Sequence, residues 1–172
     1  MNLNFNFLNL NKLKFDDRNY IVEKSNLLSK ISDAIWRTKK PFYYNSNRKV
    51  LVNVFLSTDS EIKSLNREWR KENKITDVLS FSYYDEECDV IRHPSENIIG
   101  DIIISVNTAS FQSKKFRNFL HEEIAILLIH GLTHLFGYDH EKSHFESQIQ
   151  QNAEIYLLNK INLNSDLALC RR

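Results

Sequence analysis

The sequence predicts an α+β fold, one domain over residues 1–172 built on an approximately four-stranded mixed sheet with helices. Three observations predict it. Four apolar stretches have strand character, four or five stretches have helical periodicity, and the two kinds do not alternate strictly. No internal repeat or low-complexity segment interrupts them, and 172 residues suffice to bury a core without staples.

Leu3, Phe5 and Phe7 alternate with polar residues, which predicts an edge strand rather than a signal peptide. A helix is expected over about 20–37, with Leu27, Leu28, Ile31, Ala34 and Ile35 inward; Pro41 and a turn at Asn45 to Asn47 end that segment. The run 50–56 is apolar and β-branched, as in a central strand buried on both faces. Thr58 and Glu61 have capping-box spacing and open a helix with Ile62, Leu65 and Trp69 inward.

Residues 78–84 read as a third strand, and 85–97, with their acids and Pro94, as a mobile loop. In the fourth strand, about 98–104, Gly100 is placed to mark a bulge. Asn107 is a candidate cap for a short helix. The longest helix is expected over about 117–136, and a last one over about 143–160 with Ile149, Ala153, Tyr156 and Leu157 inward.

Composition narrows the function. Hydrophobic content of 42% fits a globular protein, and no apolar run of membrane-spanning length occurs. Cys88 and Cys170 lack CxxC partners, so reduced thiols and a cytoplasmic location are expected, with neither cysteine as a metal ligand. A net charge of +1 excludes a broadly basic nucleic-acid face. Any RNA contact must be a local patch, for which Arg67, Arg70, Lys71, Lys74 and the Lys114, Lys115, Arg117 cluster are candidates; a solvated helix face explains the second group better.

The chemistry is concentrated in His130-Gly131-Leu132-Thr133-His134-Leu135-Phe136-Gly137-Tyr138-Asp139-His140. Two histidines four apart stand on one helix face, within reach of one ion. Gly137 lets the chain leave the helix, and His140 can then return towards the first two. The preceding run 124–129 is apolar, and histidines in a buried helix cost free energy without a partner. His130, His134 and His140 are therefore the expected metal ligands, and three nitrogens leave one position for water, as in catalytic zinc sites. One Zn2+ is expected, although nickel or another divalent metal also suits three neutral nitrogens. Zinc can lower the pKa of bound water to about 7 and polarise a phosphoryl oxygen.

Each ligand needs a hydrogen-bond acceptor on its other ring nitrogen. Asp139 is the nearest candidate; an aspartate that only stabilises the turn fits equally well. In HExxH peptidases the residue after the first histidine is a glutamate base, whereas here it is Gly131, which can do no proton chemistry. The glycine can instead let another element pack close. Of the remaining histidines, His93 lies in the presumed loop, and His121 and His144 read as surface or capping residues.

The motif resembles the signature of the YbeY family. So do Leu65-Asn66-Arg67-Glu68-Trp69-Arg70, Thr76-Asp77-Val78-Leu79-Ser80-Phe81 and Gly100-Asp101-Ile102-Ile103-Ile104-Ser105, collinear over about 50–145. The chain departs from the family pattern at Trp69, Ile75 and Ile126, none of them a ligand. The resemblance implies a single-strand-specific, metal-dependent endoribonuclease in the maturation and quality control of small-subunit ribosomal RNA. Its implied partners are single-stranded ribosomal RNA and the small ribosomal subunit with its proteins, with no membrane and no DNA. It also implies a catalytic role for Arg70 beside His130; a guanidinium can hold phosphate through two parallel hydrogen bonds. A zinc metallopeptidase-like hydrolase and a non-enzymatic, zinc-stabilised ribosome assembly factor are the alternatives.

Overall fold

The computed structural model describes residues 2–36, 49–85, 90–91, 97–140, 143–164 and 166. Its strands are β1 (Asn2–Leu8), β2 (Lys49–Ser57), β3 (Val78–Ser82), β4 (Tyr84–Asp85), β5 (Val90–Ile91) and β6 (Ile98–Ser105). Its α-helices are α1 (Phe15–Trp36), α2 (Asp59–Trp69), α3 (Val106–Phe116), α4 (Leu120–Leu135) and α5 (His144–Lys160). One sheet has the order β1-β2-β6-β3, parallel except for β3, so the expected mixed sheet of an α+β fold is present. β1 is an edge strand, as its alternation predicted.

The sheet has one thickly covered face. Val50, Val52, Val54, Leu56, Ile102 and Ile104 point into the main core with α1, α4 and the end of α5. On the opposite face Ile62 of α2 packs on Leu79 and Ile103 in a smaller cluster. This unequal cover corrects the expectation for β2: its residues alternate between buried and half-buried, because among the described residues α2 is the helix that shields the second face. A register shift between Leu51 and Val52 sets the bulge beside Gly100, as anticipated.

Local chemistry explains the helix boundaries. Thr58 Oγ1 accepts from Glu61 N at 3.3 Å while Glu61 Oε2 accepts from Thr58 N at 2.6 Å, the expected capping box. Trp69, expected inward, is 63% exposed; Asn66 is buried instead, its amide donating to Lys74 O at 3.0 Å. α1 starts earlier than apolar periodicity indicated, with Asp16 and Asp17 in a first turn that favours acids. It has 22 residues against 16 in α4, so the 117–136 helix is not the longest. Arg117 takes a left-handed conformation (φ 58°) that ends α3, and α4 starts at Leu120. The cap of α3 is Ser105, which accepts from Thr108 N at 3.3 Å, rather than Asn107.

β3 ends at Ser82, short of the strand read over 78–84, and Tyr84 instead begins β4, which pairs antiparallel with β5 inside the segment read as a loop. The side chains of Ile31, Ala34 and Ile35, and Pro41, Asn45 to Asn47, Cys88, His93 and Cys170, lie outside the described residues.

Candidate metal centre

The centre grows out of the end of α4. This helix is buried from Glu123 to Ile129 and again from Gly131 to Thr133, so packing fixes its rotation. Its exit is a Schellman motif: Tyr138 N donates to Thr133 O at 3.1 Å and Gly137 N to His134 O at 2.9 Å. Gly137 supplies the left-handed residue this motif needs, with φ 82°. The chain turns back there, and His140 closes on the two helical histidines.

The three rings meet, with centroids 4.7 Å apart for His130 and His134, 5.4 Å for His130 and His140, and 5.1 Å for His134 and His140. One nitrogen from each lies within 4.8 Å of the others. His130 Nε2 and His134 Nε2 are 3.2 Å apart. Two nitrogens each about 2.05 Å from a tetrahedral ion would be separated by about 3.3 Å, so this pair has the spacing of a chelating pair. The donor set fits a divalent cation.

Protonation suits that role. His134 is pushed down to about 4, first by burial and then by the neighbouring His130 and His140, with Asp139 and Glu154 opposing. At neutral pH its ring is uncharged and keeps a lone pair. His130 Nδ1 lies 2.8 Å from Glu154 Oε1. A carboxylate acceptor places the proton on Nδ1 and frees Nε2 for an ion.

The acceptor for His130 is thus Glu154 on α5, and not Asp139, the residue its place in the motif suggested. Gln150 sits one turn earlier on α5, and its amide nitrogen donates to Thr133 Oγ1 and Glu154 Oε1, both at 3.1 Å. It also lies 3.3 Å from His134 Nε2. The amide has two hydrogens and both have oxygen acceptors, so the His134 lone pair is not needed for them. Gln150 and Glu154 are buried, while Ala153 is half-buried and Tyr156 exposed. The inward stripe of α5 therefore sits one position later than apolar residues alone indicated.

Gly131 has the packing role left open for it. A Cβ there would lie 2.8 Å from Ile102 Cγ2 and 2.9 Å from Ser80 Oγ. α4 rests closely on β6 and β3 there, and any side chain at the position of the peptidase glutamate would force Ile102 or Ser80 to shift.

A cavity of about 220 Å³ opens beside the cluster, bordered by Arg70, Ser80, Ser82, His134, Tyr138 and Asp139. Arg70, the C-cap of α2, thus shares a cavity with His134, sixty-four positions away in the chain. Arg67, Lys71 and Lys74 are exposed around the same helix end, with Lys74 paired to Glu72 at 2.9 Å. Lys114 and Lys115 are exposed at the end of α3, where Arg117 follows them. His121 is held at 2.7 Å by Asp17 and packs on Tyr20, which makes it a tie between α1 and α4 rather than a surface residue. His144 is exposed at the start of α5, capped by Ser143.

The family model described as Endoribonuclease YbeY matches residues 13–162. An Endoribonuclease YbeY of Aquifex aeolicus is 39% identical over 113 residues, 66% of this chain and 71% of that protein. One of Clostridioides difficile is 32% identical over 155 residues, 90% of this chain and 99% of its own length. The solution structure of a Thermotoga maritima protein shares the fold, with a TM-score of 0.50 at 22% identity, covering 92% of this chain and 88% of that one.

Proposed function

The chain belongs to the YbeY endoribonuclease family, and we propose that it cleaves single-stranded RNA at a single metal ion held by His130, His134 and His140. We propose zinc as that ion, small-subunit ribosomal RNA as the substrate, with the small subunit and its proteins as partners, and the cytoplasm as the place of action. The whole chain, 1–172, acts in this reading as one catalytic domain. One observation carries it: three imidazoles converge within 4.8 Å, and a cavity bordered by one of them is also bordered by Arg70.

When bound, a divalent cation supplies Lewis acidity towards a phosphoryl oxygen and lowers the pKa of water. The protein's own groups do the rest. Glu154 orients the His130 ring through its 2.8 Å hydrogen bond. Arg70 is proposed to hold the scissile phosphate through paired N–H groups and to neutralise charge that develops on it. Gly131 removes the position from which a peptidase would draw its base, so peptide hydrolysis has no proton acceptor there.

The test is metal analysis joined to cleavage of a defined single-stranded RNA. His134→Ala is expected to lose the ion and, with it, several kcal/mol of transition-state stabilisation, roughly 10³-fold in rate. Arg70→Ala, by contrast, is expected to lose cleavage and retain the ion. Full cleavage by a rigorously chelated preparation, or by His134→Ala, sinks the reading.

A further inference from the structure

On the face of the sheet away from α4, a groove of about 730 Å³ runs between α2 and the strands. Phe55, Leu65, Trp69, Phe81, Tyr83 and Ile103 line it. Trp69 is 63% exposed and meets Phe81 edge-on, with centroids 6.0 Å apart and planes at 61°. Trp69 stands largely in solvent and is large enough to carry a flat ligand, while Phe81 is partly buried against Ile62, Leu79 and Ile103 and forms the wall beside it. Ser80 and Ser82 border this groove and also the cavity at His134 and Arg70. They belong to β3, an edge strand, so the two spaces meet around one strand, a width of about 5 Å.

The charges divide the two spaces. Glu61 and Asp101 are the ionisable acids lining the groove, and no lysine or arginine lines it among the described residues. Asp101 accepts from Tyr83 Oη at 2.6 Å and from Asn53 Nδ2 at 2.9 Å. A phosphate would be repelled there, whereas an uncharged ring carrying N–H donors would not. The cation sits next door, since Arg70 borders the smaller cavity.

We propose that this groove receives the unstacked base of a nucleotide adjacent to the scissile phosphate, with Trp69 and Phe81 as its platform. The assignment rests on the ribonuclease reading above and names how that substrate is gripped. Base–aromatic stacking strengthens binding by roughly 5- to 100-fold per base and tolerates any base, because each has a π-face. It also gives a physical origin for a single-strand requirement: a base held in a duplex stack cannot turn around β3 into the groove. Weak net charge is then no obstacle, since part of the grip is apolar.

The experiment uses metal-loaded protein and a short single-stranded oligoribonucleotide of fixed sequence. Trp69→Ala is expected to raise KM roughly 5- to 100-fold with little change in kcat or metal content, and Trp69→Phe to recover most of it. In a second arm, abasic nucleotides are walked along the RNA against the unaltered protein. One position is expected to reproduce the KM rise, and that same position to be silent in Trp69→Ala. Cleavage with a KM unmoved by Trp69→Ala, or an abasic walk without a sensitive position, overturns the groove alone and leaves its occupant to be some other class, such as a protein segment. Metal-loaded protein that neither binds nor cleaves RNA overturns the ribonuclease reading and the groove with it. The abasic arm decides the matter even if a substitution at Trp69 disturbs folding.

Discussion

The two faces of the sheet are built on opposite terms. Under α4 nearly every position is buried, and even the polar ones, Thr133, Gln150 and Glu154, have no freedom left. Under α2 only Ile62 and Asn66 of the helix are buried, and a bulky indole stands in solvent. The difference separates two tasks. Groups that must hold an ion within tenths of an ångström are locked by packing and by a hydrogen-bonded second layer. Groups that must accept a variable, mobile partner are left on the thinly covered side. Damage to the first face should therefore cost structure and metal together, and damage to the second should spare both.

The most damaging test restores the peptidase glutamate. Gly131→Glu would drive a side chain into Ile102 and Ser80 and force a carboxylate into a buried stretch of α4. Overpacking alone costs about 1–3 kcal/mol, and the buried charge adds to it, so little folded protein is expected. Denaturant unfolding reads this directly. A stable Gly131→Glu protein, above all one with new peptidase activity, would show that close packing of α4 on the sheet does not govern the site.

A smaller loss is expected from Glu154→Ala, which removes the acceptor of His130 Nδ1 and leaves the ion-facing nitrogens in place. Removing such an outer partner typically weakens metal affinity 10- to 100-fold. Competition with a chelator of known affinity measures it, with secondary structure as the control. Unchanged affinity would mean that the ring is oriented by helix packing alone, and the contrast between the faces would lose its second layer.

Much of this was legible before the fold was known. His130, His134, Gly137 and His140 follow from helical spacing and turn chemistry, which are local and so survive any packing. The capping box at Thr58 is local too. What escaped is long-range. Glu154 is invisible to a search for apolar stripes, because such a search sends every acid outward. Yet Gln150, Glu154, Leu157 and Ile161 recur at helical spacing, and a polar pair inside that stripe was the available signal. Trp69 was misassigned for the converse reason: large apolar residues are counted inward, although a helix covering half a sheet face leaves one end uncovered. The boundary between α3 and α4 depended on Arg117 adopting φ 58°, a conformation its residue type does not advertise.

The smallest expected effect lies on the open face and tests its independence. Glu61 is pushed down to about 2, chiefly by the hydrogen bond from Lys12 and then by those from Thr58. Because its folded value lies below the ordinary 4.5, the stabilisation is complete above about pH 4.5 and fades as pH falls through about 2. The carboxylate is largely exposed, so solvent screening reduces its worth to about 1 kcal/mol or less. Glu61→Gln keeps a capping side chain and removes the charge, isolating the electrostatic part. Urea unfolding of the two proteins should differ by up to about 1 kcal/mol at neutral pH and converge near about pH 2. Metal affinity should be the same in both, since Glu61 lines the groove and not the ion's cavity. A Glu61→Gln protein that bound metal more weakly would join the two faces energetically, and their separation into a rigid side and a yielding side would fail.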